Sequence, residues 1–328
     1  MAGDPLLLPV RGLGLLKGPL LVFGGPLGNL EATRDLVFSI GDRLGIRPSN
    51  MICTGDVGGY FSESEACAAL LRGVGVETVL GNVEEALIAD ADDCGCGFAA
   101  GSLCDRLARE WYAHARERMT DFTLGWLARL PRRLAFTYGG ARFAVIHGGA
   151  RRINRYLFAS DEAALAEEIA VLGADAVIAG HCGLPFTRVI GGAVWHNPGA
   201  LGLPANDGTP RVWYSVIEAT PDGIAFRHQP LDYHHELEAL RARSENMPEP
   251  YVTALGTGLW PDTSILPAPE AAATGRRLDP AAAVWQPPRR DRPSAAPRRR
   301  NGGSAPPPRA RSTRPGQRGA RPRARGRR

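Results

Sequence analysis

A chain of 328 residues with 44% apolar side chains can bury a sizeable core, and its formal charge of +5 is unevenly spread. Fifteen arginines and one acid, Asp291, lie between Pro287 and Arg328, so everything before that stretch is net acidic. No long unbroken apolar run exists, and the leucine-rich start, Leu6 to Phe23, is interrupted by Pro9, Arg11, Lys17 and Pro19 with no basic start; this argues against a membrane span or a signal peptide, and a cytoplasmic protein is expected.

In chain order, residues 1–18 read as an N-terminal extension. Short apolar runs then alternate with helical patterns: a strand at 20–23, a helix at 29–44, a strand at 51–54, a helix at 63–72 and a strand at 78–80. That alternation predicts parallel strands joined by crossover helices. The second half changes character. Residues 134–138 and 141–146 flank Gly139-Gly140 like a hairpin, 161–172 predicts a helix, and 176–179, 186–190, 193–196, 212–218 and 224–228 predict strands. A closing helix at 233–243 and a wrap from about 245, carrying Leu255, Leu259, Trp260 and Ile265, complete one domain over 19–266. The fold class is α/β, with two facing mixed β-sheets flanked by helices. Residues 267–328 read as a tail, dominated by Arg, Pro, Gly and Ser from about Ala281 and expected to be disordered.

Polar residues mark the ends of four predicted strands: Gly55-Asp56, Gly81-Asn82, His147-Gly148 and Gly180-His181. Ligands of open α/β sheets gather at the carboxyl ends of strands, and a glycine beside each polar residue lets the backbone turn there. Singly, Asp56 is explained as a turn cap, Asn82 as an Asx-turn and either histidine as a satisfied core residue. Together, Asp56, Asn82, His147 and His181 make a nitrogen and oxygen set suited to one Zn²⁺, Mn²⁺ or Fe²⁺.

The order Gly-Asp, Gly-Asn, His-Gly, Gly-His, followed by Asn197-Pro198-Gly199, resembles the calcineurin-like metallophosphoesterase superfamily, and within it the small bacterial phosphodiesterases. The resemblance spans roughly Leu20 to Glu218. It implies a sandwich of two mixed sheets between helices, with two metal ions over the strand ends and a bridging carboxylate that matches Asp56. Asn82, His147 and His181 match the ligands of one ion. The other ion's ligands are missing: where the family reads Ser-Asp-x-His-Gly-Asn-Leu-Glu-Ala, this chain reads Gly24-Gly25-Pro26-Leu27-Gly28-Asn29-Leu30-Glu31-Ala32, and Gly183 stands at the last position of Gly-His-x-His. One divalent ion is therefore expected rather than two.

Val83 stands where the family carries a histidine for the leaving group, a function typically worth ~10²- to 10⁴-fold in rate. His196, at a predicted strand end, is the substitute acid to examine. Six cysteines do not suggest a secreted disulfide framework, so reduced thiols or metal ligands are expected. Cys94, Cys96, Cys104 and Cys182 are candidates for a rebuilt second metal site or a redox site, although the spacing of the first three is nonstandard for zinc; small packed thiols are the alternative. Arg151 and Arg152 offer charge to a phosphate. The basic tail suits a polyanion such as nucleic acid but has no aromatic for base stacking. Three functions remain: a phosphoesterase acting on a phosphate mono- or diester, a non-catalytic relative binding a phosphate-bearing ligand or a partner, and a thiol–metal redox or metal-handling protein.

Overall fold

The computed structural model describes residues 10–279 and 281–288. Two six-stranded mixed sheets face each other. One runs β1 (Val10–Leu15), β5 (Arg133–Tyr138), β6 (Ala141–Val145), β7 (Ala176–Ile178), β9 (Ala193–Pro198), β8 (Pro185–Ile190). The other runs β12 (Ala282–Trp285), β11 (Gly223–Leu231), β10 (Val212–Thr220), β2 (Leu20–Phe23), β3 (Met51–Cys53), β4 (Glu77–Thr78). Strands β2, β3 and β4 are parallel, as are β6, β7 and β9, while β10 and β11 form an antiparallel ribbon beside β2. This is the expected α/β sandwich.

Strand β2 is buried on both faces, which is why it reads as an unbroken apolar run. Leu20, Val22, Ile52, Phe143, Val145, Ile178 and Phe226 meet between the sheets. On the outer face, Leu21, Phe23 and Cys53 pack under the first helices and α3 (Ser64–Val74), and α7 (Glu162–Leu172) covers Val177 and Trp195 of the other sheet. Asn29 caps the first helix, its side-chain oxygen accepting from Ala32 N at 3.0 Å. That helix is α1 (Leu30–Arg34), continued by a π-helical stretch, Asp35–Ile40, into α2 (Gly41–Leu44). Helices α4 (Asn82–Ile88), α5 (Leu103–Arg118), α6 (Asp121–Leu127), α8 (His235–Ser244) and α9 (Glu249–Thr257) gather beside the strand ends around a further apolar cluster that includes Trp111, Tyr251 and Leu255.

Both ends of the domain lie further out than the sequence pattern suggests. Within the expected extension, Val10–Leu15 pairs in parallel with β5; its exposed, glycine-interrupted sequence carries no strand periodicity because this edge buries little. Within the expected tail, α10 (Ala268–Ala271) forms and Ala282–Trp285 pairs antiparallel with β11. Trp285 is buried there and donates from Nε1 to Gly192 O at 2.9 Å, a long-range contact that local composition cannot announce. The arginine-rich run 289–328, with its expected disorder and nucleic-acid binding, lies outside the described residues. Among the described residues, no helix is long and apolar enough to cross a membrane.

Candidate metal centre

Asp56 follows β3, Asn82 opens α4 just after β4, His147 follows β6 and His181 follows β7, so the carboxyl ends of parallel strands from both sheets deliver all four to one rim. His147 Nε2 lies 3.0 Å from Asn82 Oδ1, 3.1 Å from Asp56 Oδ2 and 3.1 Å from His181 Nδ1, and His181 Nδ1 lies 3.9 Å from Asp56 Oδ2. Such approach needs bare backbone nearby: a Cβ on Gly81 would stand 2.3 Å from Asp56 Oδ1. Asp56 and His181 are themselves left-handed, with φ of +55° and +63°, a conformation that costs a side-chain-bearing residue about 1 kcal/mol or more.

The polarity of the cluster is fixed from outside it. His147 Nδ1 lies 2.7 Å from the carbonyl of Thr54, which only accepts, so Nδ1 carries the proton. In the neutral ring, Nε2 is then a bare lone pair. Asn82 is oriented likewise, its Nδ2 donating to Cys94 O at 3.0 Å and turning Oδ1 toward His147. A nitrogen lone pair, an amide oxygen and a carboxylate oxygen therefore face one another, an arrangement that a cation at their centre satisfies. Donor separations of 3.0–3.9 Å match the edges of about 3.4 Å expected around a tetrahedral ion with ligands near 2.1 Å. The residues fit a divalent metal. Burial opposes charge on Asp56, but His147 and His181 outweigh it and hold the carboxyl well below the usual range. Burial lowers His181, whereas in His147 the adjacent carboxylate overcomes burial and raises the ring.

Glu84, to which the sequence pattern assigns no role, holds the rim together. Oε2 accepts from the backbone N–H of Asp56 (2.8 Å) and Gly81 (2.9 Å), and Oε1 accepts from Val57 (2.8 Å) and more weakly from Gly58 (3.4 Å). One buried carboxylate thus ties the Gly-Asp loop to the Gly-Asn loop. Its signal was Gly81-x-x-Glu84, a glutamate at the third position of a helix, where capping boxes place one. Tyr156 was also missed; its ring lies against that of His181, with centroids 4.2 Å apart.

The model of the calcineurin-like phosphoesterase superfamily domain matches residues 36–222, over half of the chain. The chain belongs to the calcineurin-like phosphoesterase superfamily. Among solved structures, a metallophosphoesterase from Sphaerobacter thermophilus superposes with a TM-score of 0.57 at 22% identity, covering 74% of this chain and 100% of that one. A hypothetical protein from Pyrococcus horikoshii OT3 gives 0.61 at 14% identity, covering 74% and 99%. Both share the fold. No curated protein matches this sequence.

In this phosphoesterase fold, the positions where the resemblance leads to an expectation of further ligands carry other groups. Leu27 is buried and left-handed (φ +54°), and a Cβ on Gly25 would stand 2.9 Å from its Cδ2 and 3.0 Å from Asp56 O. A Cβ on Gly183 would stand 3.2 Å from Trp260 Cζ2, so an indole covers the third position. Val83 belongs to the apolar cluster under α5.

The structure does not bring His196 to the rim. It is buried between the sheets, with Nδ1 2.8 Å from Thr187 Oγ1 and its ring stacked on His228, and burial holds its pKa well below the usual value. The expectation of free thiols is corrected for two cysteines: Cys94 and Cys96 form a disulfide. Cys104 and Cys182 are free and buried; Asn197 Nδ2 donates to Cys182 Sγ at 3.1 Å, and burial raises both thiols, Cys104 to about 11 and Cys182 to about 12. Arg151 and Arg152 line a groove beyond Asn82, shared with Glu85 and Arg132.

Proposed function

We propose that this protein is a phosphoesterase using a single divalent ion, manganese, zinc or iron, held by Asp56, Asn82, His147 and His181, and that it hydrolyses a phosphate mono- or diester. The observation that carries the reading is the convergence of His147 Nε2 on Asp56 Oδ2 at 3.1 Å and Asn82 Oδ1 at 3.0 Å, with His147 Nδ1 committed to the carbonyl of Thr54 and Asn82 Nδ2 to the carbonyl of Cys94, so that Nε2 is the ring nitrogen a metal would take in exchange for its proton. A divalent ion bound there supplies Lewis acidity and a water of lowered pKa. Glu84 fixes the two loops that present Asp56 and Asn82, and Tyr156 braces His181. With Val83 in the apolar cluster and His196 between the sheets, neither is placed to protonate a leaving group. Esters of acidic alcohols should therefore turn over best. That same lack favours, as a second reading, a protein that binds a phosphate-bearing ligand without cleaving it. The disulfide between Cys94 and Cys96 removes the two thiols that a rebuilt second site would use first.

Metal analysis after anaerobic purification, paired with assays on bis(p-nitrophenyl) phosphate and p-nitrophenyl phosphate, tests this. About one ion per chain is expected, lost together with turnover in Asp56→Ala and His181→Ala, because one ion needs about four protein or water ligands. One ion without turnover supports the binding reading. Two ions, one of which survives Asp56→Ala and leaves only with Cys94→Ser and Cys96→Ser, would support a rebuilt site, and no metal would sink the whole reading.

A further inference from the structure

The ground vacated by the second ion is a cavity. Asp56, His147 and His181 line it together with Gly25, Leu27 and Gly183, the three positions where ligands are missing, and it encloses about 60 Å³. Of its remaining walls, Tyr60, Phe98, Tyr156, Tyr251 and Trp260 contribute rings, Asp262 contributes a carboxylate, and Cys96, Cys104 and Cys182 contribute sulfur, Cys96 as half of a disulfide. Among the described residues lining it there is no lysine or arginine.

The rings are held in place. Tyr60 and Tyr251 meet edge to face at 4.7 Å between centroids, and Trp260 donates from Nε1 to Pro204 O at 2.7 Å and from its backbone to Asn206 Oδ1 at 2.9 Å. The backbone N–H of Ser264 donates to Asp262 at 2.7 Å, which holds that carboxyl below its usual range and keeps it charged. Sites that take polyphosphates or nucleotides surround the extra phosphates with Arg and Lys, which this wall lacks. Charge decides the rest. One divalent ion with Asp56 leaves one positive charge, which a phosphodiester anion cancels and a phosphomonoester dianion exceeds; in either case Asp262 stands uncompensated beside the rings. Aromatic faces near a carboxylate favour an organic cation, most strongly a quaternary ammonium that has little hydration to lose.

We propose that this cavity receives a cationic head group, so that the substrate is a phosphate ester of a small quaternary-ammonium alcohol, its phosphate toward Asp56, His147 and His181 and its ammonium among Tyr60, Tyr251 and Trp260 beside Asp262. This rests on the single-ion phosphoesterase reading for the phosphate end alone.

The test is calorimetric titration of the full chain, loaded with Mn²⁺, with phosphocholine, with 3,3-dimethylbutyl phosphate, the isostere whose head group is an uncharged tert-butyl, and with ADP. Phosphocholine should bind at least about tenfold tighter than the isostere, and Asp262→Asn or Trp260→Leu should each reduce that preference to about threefold or less while the bound Mn²⁺ is retained. Equal affinity for the isostere, tighter binding of ADP, or a preference that survives both substitutions would overturn the inference. Choline titrated against 3,3-dimethyl-1-butanol without metal reads the cavity by itself, so the cation site is tested even in a protein that takes up no Mn²⁺: preference for choline upholds it, and equal binding, or none, overturns it. Preferred binding of p-nitrophenyl phosphorylcholine without its hydrolysis would uphold the cation site while removing catalysis from the proposed function.

Discussion

Glu84 is named in none of the chemistry, yet its two carboxylate oxygens accept from the main chain of Asp56, Val57, Gly58 and Gly81. An amide could accept on one side only and would turn an NH₂ toward backbone donors on the other. Glu84→Gln should therefore cost about 2–4 kcal/mol, the scale of leaving one or two buried donors unmatched. It should also lower bound metal, because the loops carrying Asp56 and Asn82 lose their common tie. Chemical denaturation and metal analysis of the variant check both. Unchanged metal content with full stability would show that the loops hold without it. The four clustered residues were legible in the sequence because each directly follows its own strand. Glu84 was not singled out: its spacing after Gly81 signals a helix cap, and only the fold shows that the same carboxylate also reaches the main chain of the Asp56 loop. Trp260, the cover over Gly183, was read only as part of an apolar wrap, because its contact is with a residue some eighty positions away in a loop after β7.

At the scale of elements, four strands from the two sheets share one polar thread through the sandwich. Thr187 on β8 lies opposite His196 on β9, and Ser215 on β10 lies opposite His228 on β11; Thr187 Oγ1 is 2.8 Å from His196 Nδ1 and 3.0 Å from His228 Nε2, and Ser215 Oγ is 3.1 Å from His228 Nδ1. Burial pushes His228 down to about 4, so the folded ring stays neutral where an unfolded one protonates. With the folded pKa below the unfolded value near 6.5, the stability it contributes is present above 6.5 and is lost as pH falls toward 4. His228→Gln should flatten that decline by about 2–3 kcal/mol over the same window, read as the pH dependence of denaturant midpoints. An equally steep decline in the variant would assign it to other groups. Strand-end position made His196 resemble an acid; whether a strand-end side chain faces the rim or the opposite sheet depends on register, which is decided by pairing and not by sequence alone.

For the whole molecule, the boundary matters to stability. Chains ended at Pro288 and at Asp279 differ by β12, whose Trp285 is buried against the β8–β9 turn through Gly192. Loss of that strand should cost about 3 kcal/mol or more, the scale of removing a buried tryptophan, and lower the melting temperature by roughly 6 °C or more in a domain of this size. Matching melting curves for the two truncations would show that β12 adds nothing. By itself, the sequence determined the superfamily, the two-sheet α/β class and the order of the four residues that meet at the rim. Those properties are written in short segments, each a strand with its turn. Only the tertiary structure decided that His147 turns Nε2 toward Asp56 and Asn82, that Leu27 packs against Gly25 and Trp260 covers Gly183, that Cys94 pairs with Cys96, and that the chain beyond Leu266 still adds a strand. Each of these depends on which distant atoms meet, and local propensity carries no information about a hydrogen bond or a packing contact made across the fold.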